Sequence, residues 1–162
     1  MSASSPAHKP RATLWAKWRA LGSTDRVRLL ALLALLQVMD RSLSAYGLRR
    51  TKAWLRLDRP LTRPAAPSPA AIAKAQRLAQ LSALAGYHGP GNTSCLRQAL
   101  AVQWWLRRRG LDPQLRLGVR KVGDRLDAHA WVELDGMPLA QPNLRHAAFD
   151  ARRVRSEPDS PG

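Results

Sequence analysis

At Gly110 the hydrophobic period of this chain changes, and no other feature narrows the possible folds as much. Before it, in SCLRQALAVQWWLRRRG (residues 94–110), Cys95, Ala99, Val102 and Leu106 fall on one stripe with Leu96 and Leu100 beside it, the spacing of an amphipathic helix. Gly89, Pro90 and Gly91 break the chain ahead of it, and Asn92, Thr93 and Ser94 offer capping side chains. Arg107 to Arg109 followed by Gly110 suit its C-terminus. After Gly110 the period is two. In PQLRLGVRK, Leu115, Leu117 and Val119 alternate with Arg116, Gly118 and Arg120, which predicts a strand with one buried face. Residues 121–125 turn the chain round. In LDAHAWVEL, Ala128, Ala130, Val132 and Leu134 then share one face, and Asp127, His129, Trp131 and Glu133 the other. Asp135-Gly136 is a two-residue hairpin signal, with residues 137–141 as the returning strand. A helix leading into a small antiparallel sheet predicts an α+β domain.

The part ahead of this unit reads as helical. Residues 1–12 are polar and proline-containing, the composition of a disordered tail. Trp15 and Trp18 begin a short basic amphipathic piece. Ser23 or Thr24 can cap a helix over about 25–45, in which residues 29–39 hold Gln37 as their only polar side chain. That run is 11 residues, where a membrane span needs about 20. It predicts either a buried helix or a docking face for a partner or a membrane surface, since a helix apolar on most sides must be covered. Gly47 ends it, and a shorter basic helix with Trp54 follows over 48–57. Residues 59–70, with four prolines, cannot continue a helix and read as a linker. Ile72, Ala75, Leu78, Ala79, Leu81 and Leu84 predict one more helix, stopping at Gly86, and residues 87–93 form a turn-rich loop. The expected organisation is a tail (1–12), a helical segment (13–58), a linker (59–70), the α+β domain (71–150) and a polar tail (151–162).

The chain carries a formal charge of +16, which favours an anionic partner. Arginine outnumbers lysine 22 to 5 and is scattered rather than gathered. With no zinc ligands and no aromatic RNA-binding strand, nucleic acid is not the expected partner. A single cysteine excludes an internal disulfide and any zinc site of several thiolates. The N-terminus lacks the apolar run of a signal peptide, so the expected location is the cytoplasm.

That cysteine, Cys95, falls in the first turn of its helix, where unpaired amide groups carry partial positive charge and stabilise an anion. A nucleophilic sulfur works as that anion. His129 follows 34 residues later on the second strand. A cysteine at a helix start and a strand histidine are the parts of a thiol nucleophile and its base, with a third polar group to hold the imidazole in the useful tautomer. Each also has a structural reading, as a small buried hydrophobe and as a satisfied surface ring. Trp131, two residues from His129 on the same face, either walls such a site or packs in the core. Glu133 shares the face but sits about 13 Å along the strand, too far to orient the ring. His88 and His146 lie in turn-like stretches and are expected to be exposed.

The runs SCLRQALAVQWWLRRRG, LRLGVRK and AHAWVELDG together resemble the transglutaminase-like leader peptidases of lasso-peptide biosynthesis, the microcin-processing family. The likeness is close over about 94–141, and the leucine-rich segment at 25–45 resembles the helical N-terminal part of those proteins. It implies a papain-like fold, a central helix packed on a small antiparallel sheet and preceded by a helical segment. It implies Cys95 as nucleophile, His129 as general base, and hydrolysis of one bond between the leader and core of a ribosomally made precursor, with no cofactor or metal. The family's third residue is usually an aspartate on the next strand; Gln141 stands there, with Asn143 and Asp135 as alternatives. Glutamine can accept a hydrogen bond from the ring but brings no charge. With a two-residue turn at Asp135-Gly136, strand parity points position 141 away from His129, and a bulge or an added loop residue returns it. Residues 1–60 contain no strand-rich segment like the family's fused leader-binding module, so the resemblance implies the stand-alone form. Its implied partners are the precursor's leader peptide, a separate leader-recognition protein and an asparagine-synthetase-like cyclase, with peripheral membrane contact possible through the basic helices. The other reading of the same residues is a non-catalytic scaffold on this fold, binding a peptide or a membrane surface.

Overall fold

The computed structural model describes residues 21–62, 64, 66–88, 94–122, 125–139 and 147–148. Both expected tails, Trp15, Trp18, the loop at 89–93, Gln141, Asn143 and His146 lie outside the described residues. Three helices, α1 (Ser23–Trp54), α2 (Pro69–His88) and α3 (Cys95–Arg107), precede strands β1 (Gln114–Val122), β2 (Arg125–Leu134), β3 (Met137–Pro138) and β4 (Ala147–Ala148). The strands form one antiparallel sheet in the order β3-β2-β1-β4, so the architecture is α+β.

The local breaks follow from residue type. Within α1 the helix is interrupted at Gly47, whose φ of 70° and ψ of 174° belong to a region that only glycine occupies readily. This separates the leucine-rich part from the basic part where the sequence placed the break. Neither Ser23 nor Thr24 caps α1; Gly22 holds the cap position and makes no side-chain bond. Helix α2 begins earlier than its hydrophobic stripe suggests. Pro69, the last of the four prolines, occupies the first helical position, and the Ser68 hydroxyl accepts the amide of Ala71 at 3.2 Å. Gly86 does not end α2, which continues to His88.

The inward stripe of α1, Leu29, Leu32, Leu36 and Met39, is buried in one core with Leu57, with Leu78 and Leu81 of α2, with Leu100 and Leu106 of α3, and with Val132 and Leu134 of β2. This supports the buried-helix reading for one side of α1. Ion pairs lie across the helix contacts, Asp25 to Arg77 at 2.9 Å and Asp40 to Arg97 at 2.7 Å. Arg107 donates to the carbonyl of Arg59 and pairs with Asp112, which ties the proline-rich segment to the end of α3. The face of β1 behaves differently from its pattern. Leu115 packs against the core, whereas Leu117 and Val119 are 42% and 39% exposed. The alternation gave their face correctly, since they oppose Ala130 and Ala128 of β2. Helix α3, however, packs mainly on β2, and the cover does not extend along β1.

Candidate active site

Cys95 is the first residue of α3. Ser94 holds the cap position with extended backbone, and its carbonyl accepts the amides of Arg97 at 3.1 Å and Gln98 at 3.3 Å. Its hydroxyl makes no capping bond, contrary to the sequence expectation. The half-buried Cys95 is thus the first residue of a helix whose cap residue makes no side-chain bond.

His129 lies on β2, directly opposite Gly118 of β1, and Gly118 is paired on its other side with Ala148 of β4. The row across the sheet at the histidine is thus built from the smallest residues. Cys95 and His129 line one small cavity of about 60 Å³, together with Ser82 of α2, Gln98 and Val102 of α3, and Leu139. Four consecutive residues of β2, from His129 to Val132, contribute to it. Successive side chains of a strand point to opposite faces, so such a lining belongs to a strand edge, where both faces and the backbone are in reach. Among the described residues the pairing with β3 reaches back only to Val132, whose carbonyl accepts the amide of Leu139 at 2.9 Å.

The imidazole is packed from one side. The rings of His129 and Trp131 stack at 6.2 Å between centroids and 18° between planes. The Trp131 indole donates to one Glu133 oxygen at 3.1 Å, and Arg116 Nε donates to the other at 2.9 Å. With 4% exposure, Trp131 is held on its face by this chain of contacts. Glu133 fixes the tryptophan that stacks on the histidine. Sequence reasoning missed this role, and it missed Arg116, because the link needs the register that sets Arg116 opposite Trp131. A signal was available in Gly118, since a glycine inside a strand often marks a place where another group approaches closely.

The fourth wall depends on a missing side chain. A Cβ built on Gly86 would lie 2.8 Å from Gln98 Cδ, so the absence of one lets the Gln98 side chain pack against α2 beside the cavity. Gly86 thus serves close helix packing instead of helix termination. Ser82, buried in the same wall, donates to the Gln98 carbonyl at 3.5 Å.

Of the residues considered for orienting the ring, Asp135 occupies the hairpin turn with φ of 53°, six residues along from His129. At strand rise that is about 20 Å, beyond contact. The turn is the two-residue form, with Leu134 opposite Met137, which is the case in which strand parity turns position 141 away from His129. Gln141 and Asn143 themselves lie outside the described residues. Among the described residues no group of three or more His, Cys, Asp or Glu side chains could hold a metal ion.

The model of the transglutaminase-like superfamily matches residues 35–153, most of the chain, and the protein belongs to that superfamily. Its members are commonly cysteine peptidases or transferases. No curated protein and no solved structure matches the chain.

Proposed function

We propose that this transglutaminase-like chain is a cysteine peptidase that removes the leader from a ribosomally made lasso-peptide precursor, with Cys95 as nucleophile and His129 as general base. The observation that carries the reading is the placing of the Cys95 helix start and the His129 strand on one small cavity. In the reaction, His129 takes the thiol proton and the sulfur attacks the scissile carbonyl carbon. The resulting oxyanion is held by the backbone N–H of Cys95. Collapse breaks the C–N bond as His129 hands its proton to the leaving amine, and a thioester remains. Water, deprotonated by His129, then attacks the thioester and releases the leader's carboxylate and the thiol.

The stack on Trp131 limits the ring's rotation; Gln141 is the proposed hydrogen-bond acceptor for its second nitrogen, a role that requires a bulge beyond Leu139 to return position 141 to the ring's face. The cavity beside Cys95 is about 60 Å³. It suits the narrow part of a substrate, the peptide bond itself, with recognition of the leader left to a separate protein. A cytoplasmic enzyme working beside a leader-recognition protein and a ring-closing ligase completes the proposal.

The test is cleavage of candidate precursors by the purified protein with a leader-binding partner, read by mass spectrometry. A single cleavage that disappears in Cys95→Ala is expected. In parallel, Cys95 should alkylate in the folded state and do so more slowly in His129→Ala. Absence of cleavage by every form, with the thiol protected until unfolding, would leave a non-catalytic scaffold.

A further inference from the structure

Helix α1 carries a second apolar stripe that the core does not use. Val27, Ala31, Ala34 and Val38 recur at steps of four and three along the side away from Leu32 and Leu36, and Leu30 and Val38 are 56% and 40% exposed. Beside this stripe the last turns of α3 present Trp104 and Trp105, both half-buried. Between them runs an open groove of about 700 Å³ lined by Ala31, Ala34, Leu35, Val38 and the two tryptophans, with Arg108 and Arg109 on its rim. The Arg108 guanidinium lies 5.0 Å from the Trp104 ring centre and that of Arg109 lies 5.2 Å from Trp105. A neighbouring cleft shares Trp105 and Arg109 and adds Arg28 and Lys74. No carboxylate lines either one.

Shape and charge together select the occupant. From Ala31 to Val38 the α1 wall of the groove runs about 11 Å, two turns of helix. Its apolar floor is recessed between two helices, which suits a ridge of side chains from a third helix better than the flat surface of a bilayer. By length and composition α1 could also cross a membrane. Its inward stripe is part of the protein core, however, and moving it into lipid would strip that core. The two charged side chains lining the groove, Arg108 and Arg109, are both cationic, so the flank of the occupant that faces them is acidic. We propose that this groove docks an acidic amphipathic helix of at least two turns from a separate protein, with apolar residues at i, i+3 or i+4 and i+7 on the groove floor and Asp or Glu facing Arg108 and Arg109. This does not depend on the chemistry assigned to Cys95.

The test is selection of a phage-displayed library of 16-residue peptides on the full-length protein, with counter-selection on Ala34→Glu. Position 34 is exposed, so this variant places a charge on the groove floor without entering the core; far-UV circular dichroism checks its fold. Enriched peptides are expected to be net acidic with helical apolar spacing. Made synthetically, they should lose affinity by about tenfold or more against Ala34→Glu and against Arg108→Glu with Arg109→Glu, the second variant acting wholly at the surface. Absence of groove-dependent enrichment, enrichment of neutral or basic peptides, or equal binding by the variants overturns the proposal. Vesicles of equimolar phosphatidylglycerol and phosphatidylcholine form a separate arm. Binding to them that Ala34→Glu abolishes, with no peptide selected, would assign the surface to a bilayer and overturn it as well.

Discussion

Replacing Gly86 by alanine sets two effects of opposite sign against each other, and the Gln98 side chain decides the balance. Gly86 lies inside α2 at an ordinary helical φ, so alanine there should stabilise the helix by about 0.5–1 kcal/mol. The new Cβ, however, would lie 2.8 Å from Gln98 Cδ and 3.2 Å from its Cγ, inside the roughly 3.5–4.0 Å at which carbon atoms attract. The obstructing atoms belong mainly to the amide end of the half-buried, flexible Gln98 side chain, which can swing aside for less than the roughly 1–3 kcal/mol of overpacking in a rigid core. Gly86→Ala should therefore leave stability within about 1 kcal/mol of wild type, the helix gain being offset by the displacement of Gln98. In Gln98→Ala the obstructing atoms are gone, and the same change should stabilise by about 0.5–1 kcal/mol. The two substitutions should couple by about 0.5–1 kcal/mol. Urea denaturation of the four proteins, followed by far-UV circular dichroism, gives this number directly. Equal effects of Gly86→Ala in the two backgrounds would show that Gln98 swings aside at no cost, and the spacing argument for Gly86 would fail.

Leu32 is fully buried at the centre of the inward stripe of α1, so Leu32→Ala should cost about 2–5 kcal/mol, read as a lower urea midpoint at unchanged slope. Gly47→Ala forces a side chain into a backbone region reserved for glycine and should cost about 1–3 kcal/mol in the same assay, although nothing crowds the position. Trp131→Phe keeps a ring against His129 but removes the donor to Glu133. If the peptidase reading holds, kcat should fall by about tenfold with KM little changed, the loss expected when one neutral-to-charged hydrogen bond that positions a reacting group is removed.

Features that depend on one residue and its own backbone could be read from the sequence. Gly47 interrupts α1, and Asp135-Gly136 makes the two-residue hairpin, because a positive φ demands those residue types wherever it occurs. Cys95 stands out because a helix start is marked locally, and His129 because strand alternation is. Features that depend on a second segment could not be read. Gly86 has the form of a helix stop and acts as a spacer, since its reason lies in Gln98 on the next helix. Pro69 belongs by composition to the linker and by position to α2. The apolar run of α1 has no phase that separates an inward from an outward stripe; packing alone assigns Leu32 to the core and leaves Ala34 exposed. The contacts Arg116–Glu133–Trp131–His129 need the strand register before the first of them can be placed.

Both proposals rest on α3, and its geometry relates them. Cys95 begins the helix, and Trp105 lies ten residues further along, a separation of about 15 Å at helical rise. A partner helix seated between α1 and the end of α3 would sit a fixed, short distance from the sulfur. An extended peptide covers that distance in about five residues. A protein that holds a leader and docks through such a helix could therefore deliver a bond to the cavity at a set position along the chain, with no large specificity pocket around Cys95. Cleavage position would then be set by spacing: lengthening the precursor by one or two residues between its bound leader and the scissile bond should lower the rate, while changes to side chains flanking that bond should matter less.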